Sequence, residues 1–133
     1  MRLAISISLL LATVMAGCQS IDGGDNLEKG VPYPLTAKET EAVETGLRQR
    51  LRYTGVLLFG PMVASKDSKG GITVCGTFSA MGGYGGVVDR RPYIGMMVEV
   101  APLFSFVPVV IADDSSTGPS AVILTCRRTG AAI

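Results

Sequence analysis

The sequence contains no histidine and no tryptophan, only eight aromatic residues (four Tyr, four Phe), and three cysteines. Without histidine there is no Ser–His–Asp triad and no Cys–His pair, and most metallohydrolase shells lose their usual ligand. Charge is equally sparse, at 17% of residues, and nearly balanced at +1. A nucleic-acid binder should carry a basic face. Arg48, Arg50 and Arg52, and the pairs Arg90-Arg91 and Arg127-Arg128, read as solvated surface before they read as anion sites. No cofactor and no metal is implied, and no nucleic-acid partner is expected.

One long apolar run is present, and it lies at the start. Met1-Arg2 precedes Leu3 to Met15, broken only by Ser6, Ser8 and Thr13, and Ala16-Gly17-Cys18 follows. A basic start, an apolar stretch and small residues at the cut describe an export signal. The run is shorter than the roughly 20 apolar residues of a spanning helix. Met15-Ala16-Gly17-Cys18 resembles the bacterial lipobox, with Met15 where leucine is usual. The resemblance implies cleavage after Gly17 and diacylglycerol on the Cys18 thiol, often with a further acyl chain such as palmitate on the new amino group. Two or three chains anchor durably where one is marginal. Gln19 occupies the position where an aspartate would retain an enterobacterial lipoprotein in the inner membrane, so the resemblance implies the outer membrane, with the domain facing the periplasm. The expected organisation is a signal peptide over 1–17, lipidated Cys18 with a flexible tether over 18–35, and one small domain over 36–133.

Cleavage leaves 116 residues, and loss of Arg2 leaves 11 basic against 11 acidic side chains. Lipidation occupies Cys18 and leaves Cys75 and Cys126 in an oxidising compartment, which predicts a Cys75–Cys126 disulfide. Two isolated cysteines without histidine make an incomplete zinc shell.

Gly23-Gly24-Asp25-Asn26 reads as the flexible part of the tether, and Pro32 and Pro34 stiffen its far end. Thr36-Ala37-Lys38-Glu39 has capping-box spacing, predicting a helix over about 37–52. Its narrow stripe is Val43, Leu47 and Leu51 beside Ala42, its acids stand early and its arginines late, and Gly46 costs it about 1 kcal/mol against alanine. Such a helix needs a sheet to lean on. Strand patterns follow at 55–64, 72–78, 92–100, 104–112 and 121–127. Pro61 implies an edge or bulge. Ile72, Val74 and Phe78 alternate with Thr73, Cys75 and Thr77. With no βαβ alternation, the expected class is α+β: one N-terminal helix on an antiparallel sheet of about five strands.

Carboxylates that could serve an acid or base are Asp67, Asp89, Glu99, Asp113 and Asp114. Most fall at turns, where Asp serves the backbone, while Glu99 is expected to be partly buried in a strand. Gly82-Gly83-Tyr84-Gly85-Gly86 matches no phosphate-loop spacing. It reads as a bulge or tight bend, or as a loop presenting Tyr84 with Arg90, Arg91 and Tyr93 nearby, residue types enriched at binding hot spots. Val74-Cys75-Gly76, that glycine stretch, Arg91-Pro92-Tyr93-Ile94 and Cys126-Arg127-Arg128 together resemble a set of small exported alphaproteobacterial proteins. Those share a VCG…GGY-G…P-F core, usually with Phe where Tyr93 stands, and a terminal C-R-R. The resemblance covers roughly 40–128 and implies the domain and the cysteine pair, but no activity.

The reading that follows is a non-enzymatic lipoprotein, held to the membrane by its lipid, whose domain binds an envelope protein or peptidoglycan. Its alternatives are an inhibitor of an exogenous enzyme such as lysozyme, a structural envelope spacer, and a hydrolase built around a buried acid near Glu99.

Overall fold

In a computed structural model of the chain, residues 28–81, 90–112 and 118–133 are described. They form an α+β domain in the order β1 (Val31–Tyr33), α1 (Ala37–Leu51), β2 (Leu57–Lys66), β3 (Ile72–Ala80), β4 (Arg91–Val100), β5 (Leu103–Ile111) and α2 (Pro119–Thr129). The five strands make one antiparallel sheet in sequence order.

The capping box forms as the spacing predicts. The Glu39 amide donates to the Thr36 hydroxyl at 3.2 Å, and the Thr36 amide donates to the Glu39 carboxylate at 2.8 Å. Glu39 is buried, and the Tyr33 hydroxyl donates to it at 3.0 Å. Burial alone would raise its pKa. The Thr36 amide, the Tyr33 and Thr36 hydroxyls and the Lys66 charge outweigh that, and hold it below the usual carboxylate range. The only strongly buried acid among the described residues is therefore a structural one. At the helix's far end the Arg48 guanidinium sits 5.2 Å from the Phe59 ring centroid, a cation–π contact.

The two faces of β3 serve different helices. Ile72, Val74 and Phe78 join Val43 and Leu47 of α1, with Leu57, Ala64, Tyr93 and Phe106, in the main core. Cys75, on the opposite face, joins Ile94, Ala112, Val122, Cys126 and Ala131 under α2. Gly46 is where α1 touches the sheet: a Cβ there would fall on the Phe106 carbonyl oxygen. The helix accepts the weaker propensity of glycine because no other residue lets it lie this close to β5.

Some expectations need correction. Residues 121–127 are not a strand but the body of α2, and the fifth strand is β1. Ala121 to Thr125 looks strand-like because it is apolar and partly β-branched. Pro119 at the helix start, Gly130 in the left-handed conformation at its end, and the buried Val122, Cys126 and Thr129 on one face decide otherwise. The tether does not run to residue 35, because Val31, Pro32 and Tyr33 pair with Lys66, Ser65 and Ala64, and the Gly30 amide donates to the Thr129 carbonyl at 2.9 Å. Proline suits this place, since an outer strand can spare its N–H. Glu99 is exposed. The Pro61 expectation holds: the β2–β3 register shifts between Phe59 and Met62.

Candidate functional site

The two cysteines of the domain are joined, Cys75 on β3 to Cys126 on α2, with Cα atoms 6.1 Å apart and both side chains fully buried. The bond fastens α2 to the centre of the sheet. The Cys126 carbonyl accepts from the Thr129 hydroxyl and from the Ala131 amide, and the Ser65 hydroxyl donates to the Thr129 carbonyl. The helix end is thus tied to β2 as well.

The residues grouped in the sequence around Tyr84 separate in the structure. Tyr84 lies outside the described residues, as do Cys18, Asp89, Asp113 and Asp114. Arg90 is exposed ahead of β4. Arg91 lines a depression of about 300 Å³ with Arg50 of α1, Pro108 and Ala112, a pairing across the fold that the sequence does not display. Asp67 serves its turn, accepting from the Lys69 and Gly71 amides. Among the described residues no group of three or more acidic or cysteine side chains is placed to hold a metal.

Tyr93 is the clearest correction. It is a core residue, 0% exposed, and cannot belong to a binding surface. Its ring lies across Gly76, where a Cβ would come within 2.5 Å of the hydroxyl, and between Phe78 and Phe106, the latter at an edge-to-face 6.0 Å. The glycine of the Val-Cys-Gly stretch is thus a seat for an aromatic ring on the neighbouring strand. The Tyr93 hydroxyl is buried without a hydrogen-bond partner among the described residues. Burial, with a contribution from the Glu44 carboxylate, pushes its pKa up. An unpaired buried hydroxyl costs about 1–3 kcal/mol. Tyr93→Phe is therefore expected to leave stability unchanged or raise it by about 1 kcal/mol, measured by thermal unfolding. A clear loss would mean that the hydroxyl has a partner.

The concave feature with the most coherent lining was not visible as a motif. Between α2 and the sheet lies a cleft of about 310 Å³, lined by Thr73, Ile94, Met96, Val109, Val110, Ala121, Val122, Thr125 and Thr129. Among the described residues no charged side chain borders it. It exists because α2 crosses only part of its face of the sheet. By register, Met96 and Val107 stand side by side beyond the helix, followed by Val98 and then by Val100 opposite Leu103. All five are exposed. Val109 is brought to the cleft by the register shift where Ile94 pairs with Val110 and Gly95 with Pro108. A larger groove, about 480 Å³, runs between α1 and the start of β5, but Lys38, Glu41, Thr45 and Gln49 make its helical wall a mixed, solvated one. The cleft could have been anticipated only by reading 119–130 as a helix from its Pro and Gly ends, since a strand there would have left no second layer.

The cleft can hold an apolar group of modest size. Among the described residues it offers no nucleophile with a base beside it and no cluster of donors, and its apolar walls suit the binding of such a group. Compared with family models, curated proteins and solved structures, the chain matches none.

Proposed function

We propose that this chain is a lipoprotein anchored through Cys18 whose domain binds another component of the cell envelope without chemical turnover. The observation that carries the binding reading is the apolar cleft beside α2, which no charged side chain of the described residues borders, with exposed Met96 and Val107 at its lip. Monomeric soluble domains rarely leave large contiguous apolar patches uncovered, and such patches usually mark an interaction site. The fitting partner chemistry is an apolar segment of an envelope protein. The reading of Cys18 rests on its lipobox resemblance.

The test is crosslinking in cells of the tagged chain, followed by mass spectrometry of what is recovered, with Cys18→Ala and Met96→Lys alongside the wild type. Met96 is 44% exposed at the lip of the cleft, so a lysine there can reach water while placing a charge where the partner must dock. Met96→Lys is expected to fold normally and to lose the dominant crosslinked species by about tenfold, the cost of burying an unpaired charge at an interface being at least about 1.4 kcal/mol. Full recovery of the same species by Met96→Lys would move the site off this cleft.

A further inference from the structure

We propose that the tip of the β4–β5 hairpin rests in the lipid interface of the bilayer to which Cys18 tethers the chain, so that the domain lies against the membrane instead of standing off it. The proposal rests on the Cys18 anchor and adds to it a second contact and an orientation.

The sheet has two ends. The β2–β3 turn, with Asp67 and Gly71, and the β4–β5 turn, with Ala101 and Pro102, lie at one of them. The chain enters the domain at this same end. Gly30 precedes Val31, which pairs with Lys66, and the Ser68 hydroxyl donates to the Glu28 carboxylate at 2.9 Å. Ten peptide units separate Cys18 from Glu28, a contour of at most about 36 Å. A domain of this size has a radius of gyration of only about 13 Å. The tether thus confines this end of the sheet to within about one domain diameter of the lipid, where a weak surface contact is favoured by effective concentration.

The hairpin tip is built for that contact. β3 begins at Ile72, opposite Met97, whereas β4 continues to Val100. The paired strands of the hairpin therefore run three residues past the last β3 partner, about 10 Å of strand, alongside the Asp67–Gly71 turn. Interfacial elements bury their apolar face by about 5–10 Å. Val100 and Leu103 are 63% and 69% exposed, and Val98 and Phe104 are exposed beside them. Val98, Val100 and Leu103 share the α2 side of the hairpin, while Glu99, opposite Phe104, projects from the other side. Laid with its α2 side toward lipid, the tip buries the three aliphatic side chains and leaves the Glu99 carboxylate in water. Lys29, Lys38, Lys66 and Lys69, with Arg127 and Arg128 at the end of α2, stand among Glu28, Glu39, Glu41, Asp67 and Glu99, so charges of both signs are mixed among the described residues of this end. The contact is apolar, and it needs no anionic lipid.

The chain contains no tryptophan, so a single introduced indole reports alone. Leu103→Trp and Val56→Trp stand at opposite ends of the sheet, Val56 beside Met81. Both are made in the full lipid-bearing chain and reconstituted in phosphatidylcholine vesicles, with and without brominated acyl chains. Val100→Trp serves as a second tip variant should Leu103→Trp unfold. The tip tryptophan is expected to emit at shorter wavelength and to be quenched about twofold or more by the brominated lipid, as an interfacial residue would be. Val56→Trp should do neither. A tip tryptophan as water-exposed as Val56→Trp overturns the proposal. So does a blue-shifted but unquenched one whose shift grows with protein concentration, which would assign the face to a second copy. Intact mass of the purified chain reports the anchor separately. An acylated chain with an unquenched tip sinks only this inference, while a chain lacking acyl mass and failing to float with vesicles sinks the anchor and the inference with it.

Discussion

Replacing Cys75 and Cys126 together by alanine is expected to destabilise the domain by about 4 kcal/mol. The bond closes a loop of 51 residues, and the loss of unfolded-chain entropy for such a loop is about 4 kcal/mol in the loop-closure treatment. Alanine is the appropriate replacement because both positions are fully buried, and a serine hydroxyl there would add an unpaired polar group. At about 4–8 °C per kcal/mol for a domain of this size, the melting temperature should fall by roughly 15–30 °C. Total stability for such domains is about 5–15 kcal/mol, so the variant could be marginal at growth temperature. Calorimetry of the two forms checks this, and a fall of only a few degrees would show that α2 is held by packing alone. The loss should be felt first at α2. Of the α2 side chains, only Val122, Cys126 and Thr129 are buried, and the cleft loses one wall if the helix lifts.

Gly46→Ala should destabilise the protein even though alanine is the better helix former. Propensity alone favours the substitution by about 1 kcal/mol. Against it stands the position of the new Cβ, on the Phe106 carbonyl oxygen and within 3.1 Å of the Phe106 ring. The obstacle is backbone in a paired strand, which cannot rotate aside as a side-chain tip can. The helix must therefore rise off β5, loosening Val43 and Leu47 against the core. Overpacking of this kind costs about 1–3 kcal/mol, so the expected net effect is a loss of up to about 2 kcal/mol, with Gly46→Val worse. Chemical denaturation measures it. A gain in stability would mean that the helix sits higher on the sheet than the structure places it.

The same glycine shows how far sequence reasoning reaches. From the sequence, Gly46 is a defect in a helix. From the structure it is the contact that allows the helix to pack. Local interactions need only neighbours in the chain, and these were legible: the capping box at Thr36 and Glu39, the helix that follows it, the alternation of β3, the bulge at Pro61 and the turn at Asp67. The cysteine pair was legible as well, because once Cys18 is set aside only two cysteines remain to pair. Pattern failed where two secondary structures share one composition. Ala121 to Thr125 is apolar and partly β-branched, and it is the Pro119 and Gly130 ends together with packing over Cys75 and Ile94 that make it helical.

The sequence by itself determined the α+β class, the first helix and its cap, the alternation of β3 and the pairing of Cys75 with Cys126, all set by short-range spacing or by the scarcity of partners. Tertiary structure alone decided that Tyr93 is core and not surface, that Glu99 faces water, and that residues 31–33 complete the sheet. It also decided that α2 covers one part of its face and leaves the rest bare. These outcomes depend on which distant segments meet, and burial is a property of that meeting. A tyrosine three residues from an exposed arginine carries no local mark of its depth until Gly76 on the neighbouring strand provides the space for its ring.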